Sequence, residues 1–169
     1  AEIELIVASS HELLSGLRDG DFDVVVTADK VSEDLYRIDQ LYDESYKVVV
    51  SKSPPLSERD AISLSTLAET DMLDRPNCEM RDALHGACAD QGHELYAAYR
   101  SNRVDWLVEL ARQGLGAVIL PTTAIPADRG LVSILIDGLE ISRTVSALRY
   151  RHQTTRPETN DLIREIARV

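Results

Sequence analysis

The chain has 169 residues, 44% of them hydrophobic, enough to bury a good core in one domain or two small lobes. Its 29 acidic and 18 basic side chains give a formal net charge of −11, which argues against free nucleic acid as a direct partner. No apolar run reaches membrane-spanning length, no charged-then-apolar leader opens the chain, and two cysteines do not make a secreted disulfide scaffold, so the expected compartment is a reducing cytoplasm.

Ile3, Leu5 and Val7 alternate with Glu2, Glu4 and Ile6, the pattern of a strand. Ser9 with Glu12 fits a capping box, and Leu13, Leu14 and Leu17 give the face of a short helix that closes near Gly20. Asp23 to Thr27 is apolar enough for a covered parallel strand, completing a βαβ unit. Residues 30–45 are polar and mixed, and read as a connection. Tyr46 to Ser51 is the next strand. Ser53-Pro54-Pro55-Leu56 breaks it, Leu64 and Leu67 mark a short helix, and Met72-Leu73 a brief strand. A second helix is expected from an Asn77 cap, with Glu79 in its first turn, Met80, Leu84, Ala87 and Cys88 on one face, and Gly92 as its stop.

Tyr96 to Arg100 alternates into a strand that feeds the most informative stretch, Ser101 to Pro121. Val104, Leu107, Val108 and Ala111 share a helical face, and Ser101 and Asn102 are good N-caps. Asp105 follows Asn102 at capping-box spacing, and Gly114 stops the helix. Ala117 to Leu120 is a buried strand ended by Pro121. Leu131 to Ile136 and Val145 to Tyr150 are further strands, and Pro157 to Val169 is a last helix carrying Leu162, Ile163 and Ile166 on one face. Strands alternating with helices argue an α/β fold.

Three helices therefore start directly after strands, at Ser9-Ser10, Asn77-Cys78 and Ser101-Asn102. In open α/β sheets such starts line the crevice at the carboxyl ends of the strands. Their free N–H groups and partial positive charge suit a small anion or polar ligand. Ordinary caps satisfied by their own helices also meet the spacing.

The order of these segments resembles the effector-binding domain of LysR-type transcriptional regulators over nearly the whole chain: S-S-x-E helix, F-D-V-V-V, Y-K-V-V-V-S-K-S-P-P-L, R-P-N-C-E-x-R, then S-N-R-V…G-L-G-A-V-I-L-P. The resemblance implies a two-lobed fold like that of type-II periplasmic binding proteins, with lobe I about 1–45 plus 148–169 and lobe II about 46–147. It implies an effector held between the lobes by Ser9, Ser10, Pro76, Asn77, Cys78, Ser101, Asn102 and Val104. It further implies a side-by-side antiparallel homodimer using the strand Ile3 to Ala8, the helix Ser10 to Asp19 and the helix Asn77 to Gln91. Two features depart from the pattern. The N-terminal helix-turn-helix through which family members bind DNA is absent from this chain, and so are the strand and helix that normally open lobe I.

Cys78 and Cys88 resemble the cysteine pair of the family's peroxide-sensing branch, with a separation differing by one residue. At a helix start the Cys78 thiol is expected to be acidified and reactive. Were both on one helix they would lie ~15 Å apart along it, whereas a disulfide needs Cα atoms roughly 4.4–6.8 Å apart, so pairing requires unfolding. Cys78 as a polar site residue beside an inert core Cys88 is the alternative. Other chemistry is thin. His85, Cys88 and His93 fall short of a zinc ligand set, His11-Glu12 lacks the second histidine of a zincin, and Gly114-Leu115-Gly116 ends a helix where a dinucleotide fingerprint opens one. No G-x-S-x-G elbow occurs. The expectation is a ligand-sensing domain with no enzymatic role, no metal and no cofactor. A solute-binding protein of a transporter is the rival from another class.

Overall fold

The computed structural model describes residues 2–53, 55–76, 78, 80–127 and 129–167. The chain divides into two compact units, Ala1–Asp43 with Arg143–Val169, and Glu44–Ser142.

The first unit holds α1 (Ser10–Asp19), β1 (Val25–Thr27), the first half of β2 (Tyr36–Ser51), most of β8 (Ser142–Tyr150) and α5 (Pro157–Ile166). Its core is Leu17, Val25, Tyr36 and Leu148, with Leu13, Leu14, Phe22 and Tyr150 packed against them. The α1 helix follows the sequence closely: Ser9 is its N-cap, the capping box is complete, and Gly20 ends it at φ 89°.

Three expectations fail in this unit. The strand from Ile3 to Ala8 is not formed, and Ile3, Leu5 and Val7 are 66%, 87% and 91% exposed. Alternation describes a half-buried strand, but a strand also needs a hydrogen-bonding neighbour, and no described strand takes that place. The run Asp23 to Thr27 is not a covered parallel strand. It gives a three-residue edge strand, antiparallel to β8 through Val25↔Leu148, with Val26 exposed. The 30–45 segment is not a connection, because β2 begins at Tyr36 and runs sixteen residues. Its stretch from Arg37 to Asp43 is mostly exposed. Backbone pairing holds it without any apolar pattern to announce it.

In the second unit, β2 is central. Val49 pairs with Val118 of β6 (Val118–Pro121) on one side, and Val50 with Val132 of β7 (Leu131–Ile136) on the other, both antiparallel. β7 also pairs in parallel with β3 (Ala61–Ile62). The parallel pair β4 (Met72–Asp74) and β5 (Ala97–Arg100) joins the start of β6. Leu73 N donates to Ala117 O at 2.8 Å, and Ala117 N to Asp71 O at 2.9 Å.

Both faces of this sheet are covered. Val48, Val50, Ile119 and Ile134 pack with Leu64 and Leu67 of α2 (Leu64–Ala68) and with Leu84 and Cys88 of α3 (Arg81–Asp90). Val49, Val118 and Leu120 pack with Leu107, Val108 and Ala111 of α4 (Val104–Arg112). Burial on both sides is why 48–50 and 117–120 are continuous apolar runs. Gly114 takes φ 75° after α4, and Gly116 lies so close to β4 that a Cβ there would sit 2.3 Å from Asp71 O.

The helix starts need correction. α3 begins at Arg81, not beside Cys78. Its N-cap is Met80, with no side-chain cap, and the expected cap Asn77 and first-turn Glu79 lie outside the described residues. Met80 belongs to the apolar pattern because it is buried in the core, although it precedes the helix. The N-cap of α4 is Arg103, so neither Ser101 nor Asn102 caps it and the expected Asn102–Asp105 box is not made.

Candidate functional site

The parallel pairing of β4 and β5 places Asp74 opposite Arg100, so both strands finish at one level. Ser101 N then donates to Asp74 O at 3.0 Å. From these two ends the chain leaves toward Pro76 and Cys78 on one side, and toward Ser101, Asn102 and Val104 on the other. Two of the three predicted segments are thus brought together, at the carboxyl ends of parallel strands where α/β sheets hold ligands.

The side chains at these ends divide into structural and available groups. Ser101 Oγ accepts from Arg103 N at 3.1 Å. Val104 is half-buried against the α4 core. Pro76 and Asn102 are exposed. Arg103 Nε donates to Asp105 at 3.1 Å, and its guanidinium lies 5.8 Å from the Trp106 ring centroid. That guanidinium holds the Asp105 carboxyl below the usual carboxylate range. Asp74, largely buried, is 3.1 Å from Arg81 Nε and 3.7 Å from Arg100 Nε. Arg75 Nη2 donates to Cys78 Sγ at 3.0 Å, and that sulfur donates to Tyr46 Oη at 3.9 Å.

Sequence reading missed the charge at this place. Arg81 and Arg100 share Asp74, and Arg103 pairs with Asp105, so arginines from separate segments gather at these strand ends in a chain whose net charge is −11. The Arg residues flanking R-P-N-C and preceding S-N-R were the available signal, but only the β4–β5 register shows that they meet. The enclosed cleft beside them, lined by Asp74, Arg75, Arg81 and His85 among others, is about 20 Å³, room for no more than a water.

The thiols share one core. Cys78 and Cys88 are both free, both buried, and both in the cluster around Tyr46, Met80 and Leu84. Burial pushes the Cys88 thiol up. Since Cys78 precedes α3, helix rise does not fix the distance between them, and the expected ~15 Å along one helix no longer applies.

Ser9 and Ser10 belong to the first unit. Ser9 Oγ donates to Glu12 Oε2 at 2.6 Å and accepts from Glu12 N at 3.4 Å, while Ser9 N donates to Glu12 Oε2 at 3.0 Å. These bonds hold the Glu12 carboxyl below its ordinary range. The Ser9 hydroxyl is thus committed to its own helix, and the start of α1 already carries a carboxylate. The first-turn N–H groups of Ser10 and His11 keep no intrahelical acceptor. Among the described residues, no group of three or more His, Cys, Asp or Glu side chains is placed to hold a metal, and no helix is long and apolar enough to cross a membrane.

A family model, the LysR substrate binding domain, matches residues 1–169. The chain belongs to this family. The hydrogen peroxide-inducible genes activator of Dickeya chrysanthemi is 28% identical over 155 residues, covering 89% of this chain and 50% of the relative. The DNA-binding transcriptional dual regulator OxyR of Escherichia coli K12 gives the same figures. The chain spans about half the length of the curated relatives it matches. Among solved structures, the Synechocystis PCC6803 CcmR regulatory domain in complex with 2-PG superposes with a TM-score of 0.83 at 14% identity, over 99% of this chain and 82% of that one. The fold is thus the two-lobed, periplasmic-binding-protein-like α/β fold of LysR regulatory domains.

Proposed function

We propose that this LysR substrate binding domain senses a small polar or anionic effector on behalf of a cytoplasmic transcription regulator. The observation that carries this reading is the convergence of Arg75, Pro76 and Cys78 with the segment 101–104 at the carboxyl ends of β4 and β5. Pro76, Asn77, Cys78, Ser101 and Asn102 contact the effector in the second unit, with Val104 supporting them from the core. Ser9 and Ser10 are the contribution of the first unit, through backbone N–H groups more than through the committed Ser9 hydroxyl. DNA contact belongs to a helix-turn-helix N-terminal to this domain, outside the present sequence. The CcmR regulatory domain, of similar fold, is itself in complex with 2-PG, which supports a small-effector reading.

The test is a thermal-shift screen with small carboxylates and phosphorylated acids. A ligand at about one hundred times its Kd stabilises by roughly 2.7 kcal/mol. For a domain of this size that raises Tm by about 5–10 °C. Asn77→Ala, and Ser10→Pro, which removes the Ser10 N–H at the first helical position, where proline is tolerated, should cut the shift while leaving the ligand-free Tm near the parent value. Full retention of the shift in both variants would place the effector elsewhere.

A second reading is favoured by one pair of observations: relatives named for peroxide-inducible gene activation, and a guanidinium on the Cys78 sulfur. In it the Cys78 sulfur attacks one oxygen of hydrogen peroxide and the O–O bond breaks. A sulfenic acid forms, and water leaves with the thiol proton. A disulfide with Cys88, which lies in the same core cluster, would form with release of a second water. Mass spectrometry after mild peroxide should then find Cys78 oxidised well before Cys88. Equal, slow labelling of both thiols leaves only the small-effector reading.

A further inference from the structure

We draw no further inference here: the strongest candidate, the cavity of about 510 Å³ beside the open edge of β1, lined by Ile3, Ile6, Phe22, Val24 and Leu162 under a rim of acidic side chains, is an unpartnered apolar face, and nothing in the structure shows what covers it.

Discussion

Replacing Gly116 by Ala tests how β4 is held, and with it the site at its end. The added Cβ would lie 2.3 Å from Asp71 O, where ordinary contact begins at 3.4 Å, so the carbonyl or the turn must move by more than 1 Å. That carbonyl accepts the 2.9 Å bond from Ala117 N that ties β4 to β6. Losing the bond costs about 1 kcal/mol, and more if either group stays buried and unpaired. A non-glycine residue at φ 154° adds about 1–3 kcal/mol of backbone strain. The expected loss is therefore about 2–4 kcal/mol, a large part of a typical domain's stability. Gly86→Ala is the control. Gly86 lies in α3 with nothing within 4 Å of its would-be Cβ, and alanine there should stabilise by about 0.5–1 kcal/mol. Urea unfolding of both variants gives the two numbers. Because Asp71 leads directly into β4, Gly116→Ala should also weaken effector binding under conditions where it remains folded. A Gly116→Ala midpoint within about 0.5 kcal/mol of the parent would refute the close-approach argument.

Ser9→Ala should cost about 1 kcal/mol through the lost cap of α1, read by thermal melting at neutral pH. The same variant should flatten the acid limb of the stability curve. The folded Glu12 carboxyl lies below its ordinary range, so its contribution is full above that range and is lost as pH falls through the folded value. An unchanged acid limb would refute the coupling. Sedimentation at micromolar concentration should show a homodimer, its interface on the order of 1,200–2,000 Å², with α1 and α3 as candidate surfaces and the exposed Ile3, Leu5 and Val7 nearby in sequence. A monodisperse monomer would refute it.

The second unit was far more legible than the first, and the reason is burial. Where a strand is covered on both faces its residues are apolar throughout, so 48–50 and 117–120 stand out in the sequence, whereas β7, with Ser133 and Leu135 exposed, is legible by its alternation. In the first unit, strands are held mainly by backbone pairing. The polar start of β2 therefore reads as a connection, and Asp23 to Thr27 as a covered strand although β1 is an edge. The apolar alternation at Ile3, Leu5 and Val7 is real, but a pattern of side chains does not supply a partner for the backbone.

The candidate site shows the same division between local and long-range information. The Ser9–Glu12 box is a contact over three residues, and sequence identified it correctly. Its consequence was not visible: the box that caps α1 also places a carboxylate where an anion was expected. At α4, Ser101 and Asn102 have cap chemistry, but the N-cap is the next residue, Arg103, because Ser101 is first held by Asp74 O at the end of β4. That hydrogen bond joins segments remote in sequence, as do the contacts of Arg100 and Arg81 with Asp74. An N-cap preference is worth about 1 kcal/mol, and the β4–β5 ladder together with burial of Leu107 and Val108 outweighs it. The register of β4 against β5, invisible in the sequence, thus decides both where α4 begins and which arginines surround the strand ends. It follows that changes at Asp74 should alter effector binding as much as changes at Ser101 and Asn102.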